Sequence, residues 1–191
     1  MGTSVRPNHL TTARLLTGVA AAVAFAAGTP GWALAGAAVL IVSLLLDRAD
    51  GVLARLSGQT SRAGHLYDLF ADGASNAAVF IGIGLGLAGS FPANWGLALG
   101  LIAGIAVAAA EGLVVYLDTT SLQKSSDLGG RWGIDPDDAM FLVPLGMALG
   151  WGKGVLLAAA LGAPLAVIVL AAVLVWRSRQ LRQSRLAESD G

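Results

Sequence analysis

Asp47-Arg48-Ala49-Asp50-Gly51-Val52-Leu53-Ala54-Arg55, followed after eight residues by Gly64, Asp68 and Asp72, is the stretch on which the reading of this chain turns. Asp47 and Asp50 are three apart and Asp68 and Asp72 four apart, so on helices each pair shares one face. A short connection joins the two segments, which predicts an antiparallel hairpin with all four carboxylates converging at its polar end. Clustered carboxylates repel one another and are costly to desolvate, so they need compensation. Two divalent cations would balance four such charges, and carboxylate oxygens suit hard ions of that kind. A pair of metals bridged by aspartates is also a clamp suited to the chemistry of diphosphates. Gly51 and Gly64 leave room for a substrate or a backbone to come close. Arg55 offers a planar fork for a phosphate.

Apolar sequence surrounds this polar stretch on both sides. The chain has 191 residues, 55% of them hydrophobic and only 13% charged, with a mean hydropathy of +0.72. Soluble domains carry about a quarter charged residues, so the composition predicts a surface that faces lipid. Span length and hydropathy place apolar segments over 10–28, 32–47, 69–89, 94–117, 138–151 and 153–176, an all-α integral membrane protein of six helices. The second and fifth are short, and the second lengthens if its helix continues through Arg55. Gly28-Thr29-Pro30-Gly31, Ser90-Phe91-Pro92 and Gly150-Trp151-Gly152 supply the turns. Residues 1–9 read as a juxtamembrane segment and 177–191 as a basic tail, so that 1–191 forms a single membrane domain.

Charge sets the expected orientation. With the N-terminus in the cytoplasm, Arg6, Arg14, Arg48, Arg55, Arg62, Lys124, Arg131, Arg177, Arg179, Arg182 and Arg185 all fall inside, and Lys153 alone falls outside. Both termini and the carboxylate cluster are then cytoplasmic, with Arg14 at the edge of the first span. The basic residues after Trp176 fit either contact with anionic headgroups or a solvated flank. Arg6 and Arg14 ahead of an Ala-rich run also have the look of a secretory leader, but the run serves equally as the first span of an even-numbered bundle. Net charge is zero, with 12 basic and 12 acidic residues, which argues against nucleic acid as a partner. The absence of cysteine excludes disulfides and thiolate metal sites, and two histidines, His9 and His65, are too few for a His-rich zinc site. Oxygen ligands and Mg²⁺ or Mn²⁺ remain.

The quoted stretch resembles the signature of the CDP-alcohol phosphatidyltransferases, D-x-x-D-G-x-x-A-R, eight residues, then G-x-x-x-D-x-x-x-D, and matches it at every fixed position. Pro7-Asn8-His9-Leu10-Thr11 followed by Arg14 is similar to the P-N-x-L-T-x-x-R start of the small bacterial members. The six-span plan extends the likeness over nearly the whole chain. The resemblance implies a bacterial cytoplasmic-membrane enzyme of phospholipid biosynthesis, using two Mg²⁺ or Mn²⁺ ions. It implies that Asp47, Asp50, Asp68 and Asp72 hold the metals. It assigns Asn8, Gly51, Arg55, Thr60 and Gly64 to the cytidine diphosphate part. Asp72 would be the base that deprotonates the acceptor hydroxyl for attack on phosphorus, with CMP leaving. A carboxylate beside a metal has the chemistry for that role. Helix caps and surface salt bridges would explain single aspartates, but not paired aspartates on two helices beside two glycines.

Other signals are weaker. Gly84-Leu85-Gly86-Leu87-Ala88-Gly89 has the form G-x-G-x-x-G, but no strand precedes it and it lies inside an apolar span, so close helix packing explains it. Gly96, Gly100 and Gly104 share one face, fit for an intramolecular contact or a homodimer seam, with the former favoured. Glu111 lies inside the fourth span and would either line the pocket of the acceptor or pair structurally. Asp135-Pro136-Asp137-Asp138 reads as a helix start, while Arg131 and Lys124 are candidates for a phosphate on the acceptor. His65 reads as a polar interface residue.

CDP-diacylglycerol is the expected donor. The acceptor stays open among glycerol phosphate, inositol phosphate, serine and others, because Gly73 stands where glycerophosphate-type members tend to carry lysine. An aspartate-rich prenyltransferase and a non-catalytic membrane carrier are the alternatives. The first usually needs more spans, and the second tends to show repeats or broken helices at mid-membrane.

Overall fold

The computed structural model describes residues 7–57, 62–120 and 136–189. Among them the chain is helical throughout: α1 Pro7–Ala26, α2 Pro30–Ser57, α3 Arg62–Gly86, α4 Trp95–Thr120, α5 Leu142–Ala148 and α6 Gly152–Ser189. Short 3₁₀ turns at Ala88–Ser90, Pro92–Asn94 and Pro136–Phe141 lead between them. Five helical stretches are long and apolar enough to cross a membrane, and Ala139–Ala148 is a shorter apolar one.

Local chemistry sets the ends. Pro7 opens α1 and Pro30 opens α2, where a missing N–H costs nothing. Gly28, with φ of +69°, lets the chain turn between them, and Gly150, at +75°, ends the α5 segment. There the Trp151 N–H reaches back to the Gly146 carbonyl at 2.8 Å, closing the helix end. The second segment continues past Arg55 to Ser57, as its length required. The third starts at Arg62, before the apolar run at 69, so Asp68 and Asp72 both lie inside a helix, as their spacing required. The last helix carries the basic tail on to Ser189, without a break at Trp176.

Helix order in space departs from the expected hairpin. Among the described residues, α1 packs along both α2 and α3, while α2 and α3 scarcely touch. Contacts between α1 and α3 rise together in number: Gly18 meets Ser75, Ala22 meets Gly82 and Phe25 meets Gly86, so these two helices run parallel. The chain goes up α1, returns down α2 on its outer side, and goes up again in α3 on the inner side. Small residues explain why α3 docks on α1. The Gly82 and Gly86 positions lie directly against the α1 backbone carbonyls of Ala22 and Phe25, so backbones approach as they do at glycine seams in lipid.

The next contact uses the same device. A Cβ at Gly84 would lie 2.5 Å from the Gly96 carbonyl oxygen, and one at Gly104 2.8 Å from that of Ala77. The Gly96, Gly100 and Gly104 face is therefore spent inside the molecule, against α3, and is not a seam for a second copy. Helix α6 packs on α4, and α5 on α2. The core runs from Phe25 and Leu40 through Val79 and Ile83 to Met147 and Leu156. The outer faces of α2 and α6 stay apolar and exposed, as at Leu34, Leu45, Leu161 and Ile168, which suits lipid as the neighbour. Trp32, Trp95 and Trp151 are exposed at the turns joining the helices, the place of an interfacial aromatic belt. The signature aspartates lie at the other end of the bundle.

Candidate active site

Three helices bring the polar residues together. Asp47 and Asp50 come from α2, Asp68 and Asp72 from α3, and between them stands α1 with Thr11 and Arg14 on one face. Carboxylate oxygens of Asp47, Asp68 and Asp72 lie within 4.8 Å of one another, an arrangement able to hold a metal ion. Asp50 is not in that trio; it is buried, and its Oδ2 accepts a hydrogen bond from the Thr11 hydroxyl. Among the described residues, the second Asp50 oxygen, Oδ1, and Oδ1 of Asp68 are buried and find no hydrogen-bond partner. Buried acceptors of this kind need a donor or a cation. An all-oxygen donor set with unmet capacity fits a hard divalent ion.

Arg14, expected at the edge of the first span, sits only 3% exposed, in the middle of the cluster. Its Nε lies 3.0 Å from Asp47 Oδ1, and its Nη1 makes a second ion pair with Asp72 Oδ1. The backbone at this turn is held as well, since Ser43 Oγ donates to the Arg14 carbonyl at 2.9 Å. The Thr17 hydroxyl donates to the Ala13 carbonyl at 2.8 Å. Nearby, Thr12 and Tyr67 join α1 to α3 through their hydroxyls at 2.9 Å. A signal for these residues did exist: Thr11 and Arg14 are three apart, on one helical face, within the N-terminal stretch already singled out.

Farther along α3, Asn76 is 3% exposed and its side-chain amide donates to Glu111 Oε1 at 2.5 Å. Glu111 thus bonds a side chain one turn from Asp72. A Cβ at Gly73 would lie 3.8 Å from Glu111 Oε2, so this part of α4 faces the same stretch of α3. Beside it, Leu69, Phe70, Gly73, Ala77, Ile105 and Ala108 line an open apolar groove of about 400 Å³ between α3 and α4. On the outer side, the Arg48 guanidinium lies 5.0 Å from the centre of the Phe141 ring, tying α2 to the segment before α5.

The remaining expected residues divide by what is described. Gly64 lies in the first turn of α3 and His65 beside it is exposed. For Asn8, Gly51 and Arg55 the helical placement alone is described, in the first turn of α1 and the last turns of α2. Thr60, Lys124 and Arg131 lie outside the described residues.

The family model described as CDP-alcohol phosphatidyltransferase matches residues 4–177. No curated protein matches the chain.

Proposed function

The chain belongs to the CDP-alcohol phosphatidyltransferase family, and from that premise we propose that it transfers a phosphatidyl group from CDP-diacylglycerol to the hydroxyl of a small polar alcohol. The family is one of enzymes, dependent in general on divalent metal, and its model covers nearly the whole chain. The observation that carries the finer reading is the convergence of Asp47, Asp68 and Asp72 within 4.8 Å, on the motif that this family shares.

Asp47, Asp68 and Asp72 would hold two Mg²⁺ or Mn²⁺ ions, with Asp50 completing the set through its unbonded oxygen. When bound, such ions neutralise the pyrophosphate and the charge that builds on the departing CMP. Asp72 accepts the proton of the acceptor hydroxyl as that oxygen bonds to the lipid-side phosphorus. The bond between this phosphorus and the bridging oxygen of the diphosphate breaks, and CMP carries the electron pair away. Gly51, Arg55, Thr60, Gly64 and Asn8 bind the CDP part. Arg55 offers the guanidinium fork, and the glycines leave space beside the backbone. Glu111, Lys124 and Arg131 act on the side of the acceptor, with Glu111 supported by its bond to Asn76, one turn from the base.

The site belongs at the cytoplasmic edge of a bacterial inner membrane, with both termini inside. The exposed Trp32, Trp95 and Trp151 fit the opposite interface, and the cytoplasmic side follows from the basic residues, which fall inside except for Lys153. Fifteen residues separate Trp32 from Asp47, about 22 Å of helix, which sets the carboxylates near the far edge of a hydrocarbon core about 30 Å thick. Residues 1–191 act as a single domain. A homodimer would use a face other than that of Gly96, Gly100 and Gly104.

Purified protein in lipid nanodiscs, given CDP-diacylglycerol, Mg²⁺ or Mn²⁺ and a panel of glycerol phosphate, inositol phosphate, serine and other alcohols, is expected to release CMP with one acceptor. Chelation should stop release and added metal restore it. A folded protein that releases no CMP with any acceptor would refute the assignment.

A further inference from the structure

One cation is built into the cluster by the chain itself. Arg14 is buried, its backbone is pinned by Ser43, and its guanidinium bridges Asp47 on α2 to Asp72 on α3. These are two of the three aspartates grouped as a candidate metal centre. The guanidinium brings a positive charge into the cluster on a planar fork suited to bridging two carboxylates. Its place between two helices that scarcely touch each other gives it a mechanical role, because α2 and α3 are held in register through it. Its charge has a second consequence, since any cation arriving at Asp47 and Asp72 meets carboxylates that are already partly neutralised.

Resting on the metal-site reading above, we infer that Arg14 is a positioning residue that acts as an internal counter-cation. It holds the carboxylates together while metal is absent, and it sets the affinity with which metal is taken up. The two effects have opposite signs on loss of the side chain. Without Arg14, Asp47, Asp50, Asp68 and Asp72 repel one another with the guanidinium between them gone, so the metal-free protein is weakened. The same loss removes a like charge from the neighbourhood of the incoming ion, so metal binds more tightly. A residue that served only as a strut would show the first effect and a loss, not a gain, of metal affinity.

The test uses the full chain in nanodiscs and Mn²⁺ alone, without CDP-lipid. Mn²⁺ binding is followed by calorimetry and thermal unfolding is followed with and without the metal, for wild type, Arg14→Gln and Arg14→Lys. Arg14→Gln should bind Mn²⁺ about tenfold more tightly, the scale that one unit charge sets across a partly shielded site. Its melting temperature should be lower than that of wild type in chelator and should rise more on adding Mn²⁺. Arg14→Lys keeps the charge and should bind Mn²⁺ as wild type does. If Arg14→Gln folds only with Mn²⁺ present, that dependence is the expected result in its strongest form.

Equal or weaker Mn²⁺ binding by Arg14→Gln overturns the inference and leaves the family assignment untouched. So does failure of both variants to fold with or without metal. Absence of Mn²⁺ binding by the wild type overturns it together with the proposed metal site. CMP release plays no part in these readouts, so failure to find an acceptor bears on the proposed reaction alone.

Discussion

Along the contact of α1 with α3, two halves are made in different ways. Toward the turns, Gly82 and Gly86 lie directly against the α1 backbone at Ala22 and Phe25. Toward the other end, Arg14 reaches Asp72 and Thr12 meets Tyr67. The first half gains its stability from dispersion between backbones that approach closely, and it tolerates no added side chain. The second holds side chains that would repel or stay unsolvated alone, and it tolerates no uncompensated loss. One seam thus carries a rigid half and a chemical half. A substitution in either should separate stability from activity.

The largest effect is expected at the chemical half. Asp72→Asn should lower CMP release about 10²- to 10⁴-fold, the range for loss of a general base, while CDP-lipid binding persists. The amide still accepts from Arg14, so circular dichroism and melting should change little. Full activity would break the distinction by removing the base from this end. The converse comes next: Gly82→Val places a side chain against the Ala22 carbonyl and should cost about 1–3 kcal/mol or more by overpacking. The melting temperature should fall while the fraction that stays folded keeps its rate per molecule. An unchanged melting temperature would show that the two helices can part without cost.

Glu111→Gln sharpens the boundary between the halves. It keeps the shape of the bond to Asn76 and weakens it by a fraction of the about 1.5–3 kcal/mol that bonds to charged groups contribute. If Glu111 serves the acceptor, the KM for the alcohol rises with little change in that for CDP-lipid. If it only braces Asn76, melting shifts and neither KM moves. The smallest effect belongs to Arg48→Ala. Loss of its contact with the Phe141 ring should cost about 0.5–1 kcal/mol, read as a small fall in melting temperature with CMP release preserved.

Much of the fold was legible because hydropathy and turn chemistry are local. The spans follow from runs of apolar residues, and Gly28 and Gly150 sit at two of the expected turns, both with positive φ. The Gly96, Gly100 and Gly104 stripe correctly promised a close internal contact. The fifth segment was harder, because Ala139–Ala148 is short and its lead-in is a 3₁₀ turn of mixed polarity. At the site, the aspartate spacing identified residues that do converge, but not what lies between them. A short link between α2 and α3 implied a hairpin, and link length does not say which helices pack. Nor does sequence spacing reveal the bond of Asn76 to Glu111, 35 positions away.

By itself, then, the sequence determined the helices, the membrane character and the acidic pairs, since each depends on residues a turn or a span apart. Only the tertiary structure decided that α1 lies between the two aspartate helices and carries Arg14 into their midst. That choice depends on backbones fitting together at glycines, and on buried carboxylates requiring a positive partner. Both conditions relate residues distant in the chain, and neither leaves a periodic trace within any one helix.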